Sequence, residues 1–335
     1  MTKINITTIW GWSGTFNVLY WLKKVFSEEQ RNLSAIVTMT DSGGTTWEIR
    51  DKYGVLPPGD IRWVMCALAR DTGIVRKLFE YKFDWETWVI WGNKVWNILL
   101  TALNHIKWSF EAWLDEACKM FDVEWKVIPV TLEDVHLWVK FEDGTEIIWE
   151  KYIDVSSKND FARTHNINQN VIDAFLVGWE WNLNPRAYEA IINSDYIILW
   201  PGDFYTSIVP NLLSKGMKNA LSKTPAKIIY VCNIMTKKWE TTTYELKDFI
   251  DNMEKYAWEV IDYVFVNNWY ISDEIVEKYK REEWKKPVKL KDISLFEWKK
   301  YKIIERDFVN ESDVVRHDPK KLAQTIKDLS GWWIK

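Results

Sequence analysis

Glycine is scarce in this chain, 13 in 335 residues, below the usual share of about 7%. Cysteine is scarcer: Cys66, Cys118 and Cys232 are far apart and odd in number. That excludes a disulfide framework and a CxxC metal site, and a reduced cytoplasmic setting is expected. The four histidines, His105, His136, His165 and His317, do not cluster. No run approaches 18 apolar residues, so no membrane span is expected, and MTKINITTIW at the N-terminus lacks the apolar stretch of a signal peptide. A net charge of −4, from 44 basic and 48 acidic residues, offers no basic field for nucleic acid or an anionic membrane, although a local cationic or amide-lined pocket stays compatible with it. GxSxG, HExxH and GxxxxGK[ST] are all missing, which removes the nucleophile elbow, the zinc-protease helix and the Walker loop.

What is present in excess is tryptophan, with 24 residues. Many sit where a chain turns rather than where a core packs. Trp10 and Trp12 follow the β-rich run 4–9 and precede a helical pattern, where glycine is wanted for positive φ and for close approach to a phosphate. Trp200 follows the buried run 196–199. Trp125, Trp239, Trp269 and Trp284 lie in polar turn contexts, and Trp332 and Trp333 follow Gly331. The economical reading is that many of these letters stand for glycine: some bacteria read UGA as Gly, and translation with a table that reads it as Trp would place indoles at every such codon. The alternative is a chain that uses indoles at its turns.

A length of 335 residues admits one large domain or two smaller ones. Strand 4–9, helix 14–26 and strand 34–39 open the chain; strands alternating with helices indicate parallel βαβ units. Helical patterns follow at DIRWVMCALARD, at 95–105 and at 111–121. The period then changes to two: 135–141 and 146–150 alternate around an Asp143-Gly144 turn, a β-hairpin signal. Residues 155–181 are polar and ambiguous. Past Pro185 the α/β alternation returns, with helix RAYEAIINSD, strand YIIL, helix NLLSKGMKNALSK, strands KIIYVCNIM and VIDYVFVNN around helix YELKDFIDNMEKYA, and helices at 273–280 and near the C-terminus. The expected fold is therefore α/β: a doubly wound, mostly parallel Rossmann-like sheet forming a single domain over 1–330, with an inserted hairpin and irregular segment at about 125–183.

Four loops could carry chemistry. WGWSGT at 10–15 is a poor phosphate loop as written, because two indoles would block its amides. With glycine at 10 and 12 it becomes GGGSGT between strand and helix, an anion cradle of backbone N–H groups and a helix N-terminus. TDSGGTTW at 40–47 again follows a strand: Asp41 could hold Mg²⁺ or a ribose hydroxyl, and Ser42, Thr45 and Thr46 could reach phosphate oxygens, unless this is an ordinary capped turn. In GVLPPGDIR at 54–62, Asp60 is an N-cap candidate and Arg62 a phosphate contact. In WPGDFYTSIVPNL at 200–212, Asp203, Tyr205, Thr206 and Ser207 cluster after a buried strand. Loops at one sheet edge converge where open α/β folds bind ligands. His317 reads as a turn into the last helix and His136 as a hairpin face residue.

With the loop tryptophans read as glycine, the motif order resembles the YvcK-type gluconeogenesis factors, a branch of the superfamily that includes the CofD 2-phospho-L-lactate transferase of deazaflavin-coenzyme synthesis. The matching stretches are WGWSGT (family GGGTG), AIVTMTDSGGTTW (family IVTVxDxGGSSG), GVLPPGDIR, GNKVWNILLTAL (family GHxxGNLLLAAL), VIPVT, DGTEIIWE, NPRAYEAI, DYIILWPGDFYTSIVPNLL, YVCNIMTKKWET and VVRHDP, in the family's order over residues 4–318. The departures are mostly Trp where the family has Gly, at 10, 12, 47, 96, 200 and 239. Asn93 replaces the usual His, and Ser42 stands where Asp is common.

The resemblance implies a CofD-like fold and a cytoplasmic protein required for cell shape and cell-wall maintenance during gluconeogenic growth. It also implies binding of a UDP-sugar such as UDP-N-acetylglucosamine, with protein partners in cell-wall synthesis and a homo-oligomeric state. Carried over by position, Trp10, Gly11, Trp12, Ser13 and Gly14, with Thr15, form the phosphate cradle. Asp41, with Ser42, Gly43 and Thr45, forms the metal or acceptor side. Pro201, Gly202, Asp203, Tyr205, Thr206 and Ser207, with Asn211, form the other wall, and Asn97 and Asn233 face base or sugar. Three functions compete: a non-catalytic UDP-sugar-binding regulator, a Mg²⁺-dependent transferase acting on a nucleotide-activated phosphoacid, and an interaction protein with a vestigial cleft. The full motif set, including PPGDIR and HDP, favours the first.

Overall fold

The computed structural model describes residues 3–11, 14–27, 31–41, 57, 59–81, 95–107, 109–148, 169–178, 180–282, 285–290, 296, 299–311 and 315–331, except for the side chains of 14–16, 97, 101, 104, 282 and 311. Twelve strands are described: β1 Ile4–Trp10, β2 Arg31–Val37, β3 Lys126–Pro129, β4 Val135–Phe141, β5 Glu146–Ile148, β6 Val171–Gly178, β7 Tyr196–Leu199, β8 Lys227–Val231, β9 Tyr263–Asn267, β10 Lys302–Arg306, β11 Val309–Glu311 and β12 Val315–His317. The helices are α1 Gly14–Val25, α2 Gly59–Leu68, α3 Thr72–Glu80, α4 Val95–Ile106, α5 Phe110–Met120, α6 Pro185–Ile192, α7 Val209–Leu212, α8 Met217–Lys223, α9 Leu246–Ala257, α10 Asp273–Glu282 and α11 Pro319–Gly331.

Seven strands form one sheet in the order β10-β9-β8-β7-β1-β2-β3, and every pairing in it is parallel. Parallel strands covered by helices on both faces read as near-continuous apolar runs. YIIL in β7 and the middle of KIIYV in β8 are such runs, and both are buried. The chain winds outward from β1 to β3, returns to the centre at β7 and winds the other way. β1 and β7 therefore flank the topological switch point, with Ile9 opposite Leu199; crevices that hold ligands form at such points, outside the strands' carboxyl ends. The α/β doubly wound expectation holds, and the hairpin appears as β4 and β5, with Gly144 at φ +87 in its turn.

Several elements differ from expectation. β6 lies inside the stretch that sequence left ambiguous and pairs with β4, making a three-stranded antiparallel sheet of order β5-β4-β6. β3, inside the 125–183 segment read as an insertion, pairs with β2 at the edge of the main sheet. The single helix expected at NLLSKGMKNALSK is two, because Gly216 adopts φ +98 between α7 and α8, a conformation open to glycine and closed to most residues. His317 belongs to a strand, and Asp318 caps α11 by accepting from the Lys320 and Lys321 amides. Among the described residues no helix is long and apolar enough to cross a membrane.

Candidate functional site at the carboxyl edge of the sheet

At the switch point the chain carries two indoles. Trp10 ends β1 and Trp200 follows β7; both are buried, and their rings meet edge to face with centroids 6.2 Å apart. The Trp200 amide donates to the Ile9 carbonyl at 3.3 Å, so the two strand ends are tied together. Trp10 Nε1 is buried with no hydrogen-bond partner among the described residues, a penalty that a native indole normally avoids.

Next in the chain, Gly11 stands where four segments meet. A Cβ on it would lie 2.5 Å from Thr38 Cγ2, 3.1 Å from Asp60 Oδ2 and 3.3 Å from the Ser207 carbonyl oxygen. Gly202 is confined less tightly, with Ser207 Cβ 3.0 Å and the Gly11 carbonyl oxygen 3.4 Å from its would-be Cβ. Gly11 after β1, Thr38 after β2, the loop after β7 and the first turn of α2 thus converge. Asp41 and Asp60 are both buried. Arg62 lies 4.9 Å over the Trp63 ring, and its Nε is buried without a partner among the described residues. Burial pulls its pKa below the usual value, against the opposing pull of Cys66, Glu80, Asp41 and Asp60. Burial also pushes the Cys66 thiol up to about 12, which leaves it an inert core group. Among the described residues no group of three or more His, Cys, Asp and Glu is arranged to hold a metal ion.

The second wall follows β7. Phe204–Ile208 is a π-helical turn, in which the Ile208 amide reaches the Asp203 carbonyl at 3.3 Å; such turns are often placed at functional sites. Its anchor is Glu240, which has no solvent exposure. The Glu240 carboxylate accepts the Tyr205 amide at 3.1 Å and the Thr206 hydroxyl at 3.2 Å. Lys237 Nζ lies 3.0 Å from Glu240 Oε1 and 2.5 Å from Asp203 Oδ2. Tyr205 O–H pairs with Tyr244 O–H at 2.7 Å, and burial raises its pKa well above the ordinary phenol value. Asn211 is fully buried: its Nδ2 donates to the Ser207 carbonyl at 2.8 Å while Oδ1 has no partner among the described residues. Asn233 Nδ2 donates to the Gly202 carbonyl at 2.8 Å. Asn233 also borders a cavity of about 330 Å³ beyond β8 and β9, lined further by Asn267, Trp269, Tyr270 and Asp273.

Two tryptophans occupy left-handed backbone: Trp239 at φ +70, in the turn that carries Glu240, and Trp258 at φ +56, at the C-terminal cap of α9. Helices commonly end on a left-handed glycine at this place. Of the residues singled out from sequence, Trp10, Gly11, Asp41, Asp60, Arg62 and Pro201 through Ser207, with Asn211 and Asn233, lie at this edge. Trp12, Ser13, Ser42, Gly43 and Thr45 lie outside the described residues, as do the side chains of Gly14, Thr15 and Asn97, which sit on α1 and α4. Sequence reasoning missed Lys237, Glu240 and the hydroxyl pair Thr38 and Thr40, 3.1 Å apart. A Lys-x-x-Glu spacing in a turn after a buried strand is the signal that could have found the first two.

The fold defines a Rossmann-like α/β protein, with a candidate crevice at its switch point. The chain belongs to the CofD family: the family described as 2-phospho-L-lactate transferase CofD matches residues 6–309. Within it, the relatives are gluconeogenesis factors of the YvcK type. A Thermotoga maritima protein named provisionally as a gluconeogenesis factor is 33% identical over 332 residues, 98% of this chain and 100% of that protein. The gluconeogenesis factor of Bacillus subtilis is 32% identical over 300 residues, 89% of this chain and 90% of that protein. The crystal structure of a UPF0052-family protein from Bacillus halodurans superposes with a TM-score of 0.85 at 29% identity, covering 97% of this chain and all of that one.

Proposed function

We propose that the crevice between β1 and β7 binds a UDP-sugar, UDP-N-acetylglucosamine or a close relative. In this reading the protein is a ligand-responsive cytoplasmic regulator of cell shape and wall maintenance under gluconeogenic growth. The observation that carries the reading is the convergence of Gly11, Asp60, Gly202 and Ser207 at the switch point. A diphosphate there meets backbone N–H groups and the start of α1, where the helix dipole favours an anion, with Arg62 as the nearby cation. Asn233 joins this cradle to the cavity beyond β8 and β9, which has room for the remainder of a nucleotide-sugar.

The same proposal includes the tryptophans. Glycine at 10 and 200 vacates the volume that two indoles fill between the strand ends. Glycine at 239 and 258 suits their left-handed backbone, and glycine at 10 and 239 removes two buried indole N–H groups that lack partners. Codons decide this part: UGA is expected at Trp10, Trp12, Trp96 and Trp200, and UGG at all four overturns it. Calorimetry decides the rest. The chain with glycine at 10, 12, 47, 96, 200 and 239 is expected to bind UDP-N-acetylglucosamine, and absence of heat removes the regulator reading. Turnover of a nucleotide-activated phosphoacid by that chain, with Mg²⁺ present, would move it to the transferase class named for its family.

A further inference from the structure

We propose that Lys237 is the built-in cation of the second wall: its ammonium takes the place between Asp203 and Glu240 that a divalent metal ion would otherwise be drawn into. The two carboxylates come from different loops, one after β7 and one after β8, and meet at one nitrogen, 2.5 Å and 3.0 Å away. Glu240 is sealed from solvent, Lys237 is 13% exposed and Asp203 21% exposed, so solvent screens the Glu240 charge poorly. Two carboxylates brought together with one of them out of water need a positive charge between them, or the buried one loses its own. A lysine ammonium is a compact point charge with three donors, the side chain nearest to a small hard cation. The charge is also positional. Glu240 holds the Tyr205 amide and the Thr206 hydroxyl, so the cation that fixes Glu240 fixes the π-helical turn and the direction in which residues 203–207 face the crevice. This assignment goes beyond the ligand reading and stands on geometry alone, whatever the crevice binds.

Terbium luminescence tests it, using Tb³⁺ as an oxygen-seeking metal probe excited through the neighbouring Tyr205 and Tyr244. The wild-type chain is expected to show no emission that depends on Asp203, as judged by comparison with Asp203→Asn. Lys237→Gln, which keeps a polar chain of similar reach and removes the charge, is expected to gain a saturable signal about tenfold above wild type, lost again on adding Asp203→Asn. If Lys237→Gln does not fold in metal-free buffer, Mg²⁺ or Tb³⁺ is expected to restore its circular dichroism, and Lys237→Arg is expected to fold without metal. Asp203-dependent emission in the wild type overturns the proposal. So does a folded Lys237→Gln chain that gains no signal, or an unfolded one that no metal rescues.

Discussion

The two walls of the crevice are built by opposite means. On the β1–β2 side the segments pack directly on a glycine, and Gly11 sits so close to the Thr38 and Asp60 side chains and the Ser207 carbonyl that a single methyl has no room. On the β7–β8 side the segments are tied by polar side chains, with Glu240 and Lys237 reaching from one loop to grip the turn of the other. A wall made by contact depends on the absence of side chains and tolerates no addition. A wall made by a carboxylate and an ammonium depends on charge and tolerates no deletion. The indoles fit this contrast: Trp10 and Trp200 fill the space on the contact side, while Trp239 strains the turn on the tethered side.

Deleting the tether should do the most damage. Glu240→Ala leaves the Tyr205 amide and the Thr206 hydroxyl without their acceptor and Lys237 without one of its carboxylates, and is expected to cost about 3 to 5 kcal/mol in urea unfolding; a loss below about 1 kcal/mol would mean the turn holds without it. Crowding the contact wall comes second. Gly11→Ala is expected to cost about 2 to 3 kcal/mol, more than Gly202→Ala, whose nearest neighbour is a serine side chain rather than a packed methyl at 2.5 Å; equal losses would erase the distinction between the walls.

Third comes acid. His317 Nε2 bonds the Cys232 carbonyl at 3.0 Å, and burial lowers its pKa to about 4. The unfolded imidazole takes up its proton near the ordinary value while the folded one resists. Stability should therefore be full well above about 6.5 and fall by about 3 kcal/mol as pH drops to about 4. His317→Asn should flatten that slope in unfolding midpoints taken across the range. The smallest effect is a gain: Trp239→Gly is expected to add about 1 kcal/mol by relieving a left-handed indole, seen as a higher urea midpoint at unchanged slope. A loss there would count against glycine as the natural residue.

The parallel core was legible because buried runs such as YIIL and the Pro185 helix start carry strong local signals. β6 and the strands beyond Lys302 were not, since half-exposed edge strands mix polar and apolar residues without a clean period. β10, for instance, alternates only weakly between half-buried and exposed positions. At the site, loops that follow buried strands announced themselves. The Glu240 tether did not, because its meaning lies in a partner 34 or 35 residues away in sequence, and no local window contains both. Tryptophan at a polar turn position singled out residue 239 before its backbone angle was known.

The central place of β1 also sets a timetable for the nascent chain. Its partner β7 pairs Tyr196 with Ile6, so the crevice has only one side until some two hundred residues have left the ribosome. The helix that follows β1 waits longer still: Lys327 Nζ caps it by donating to the Val25 carbonyl at 2.8 Å. Such long closures make folding slow and leave unpaired strand edges exposed in the meantime. A truncated or stalled chain therefore presents open strand edges rather than a smaller crevice.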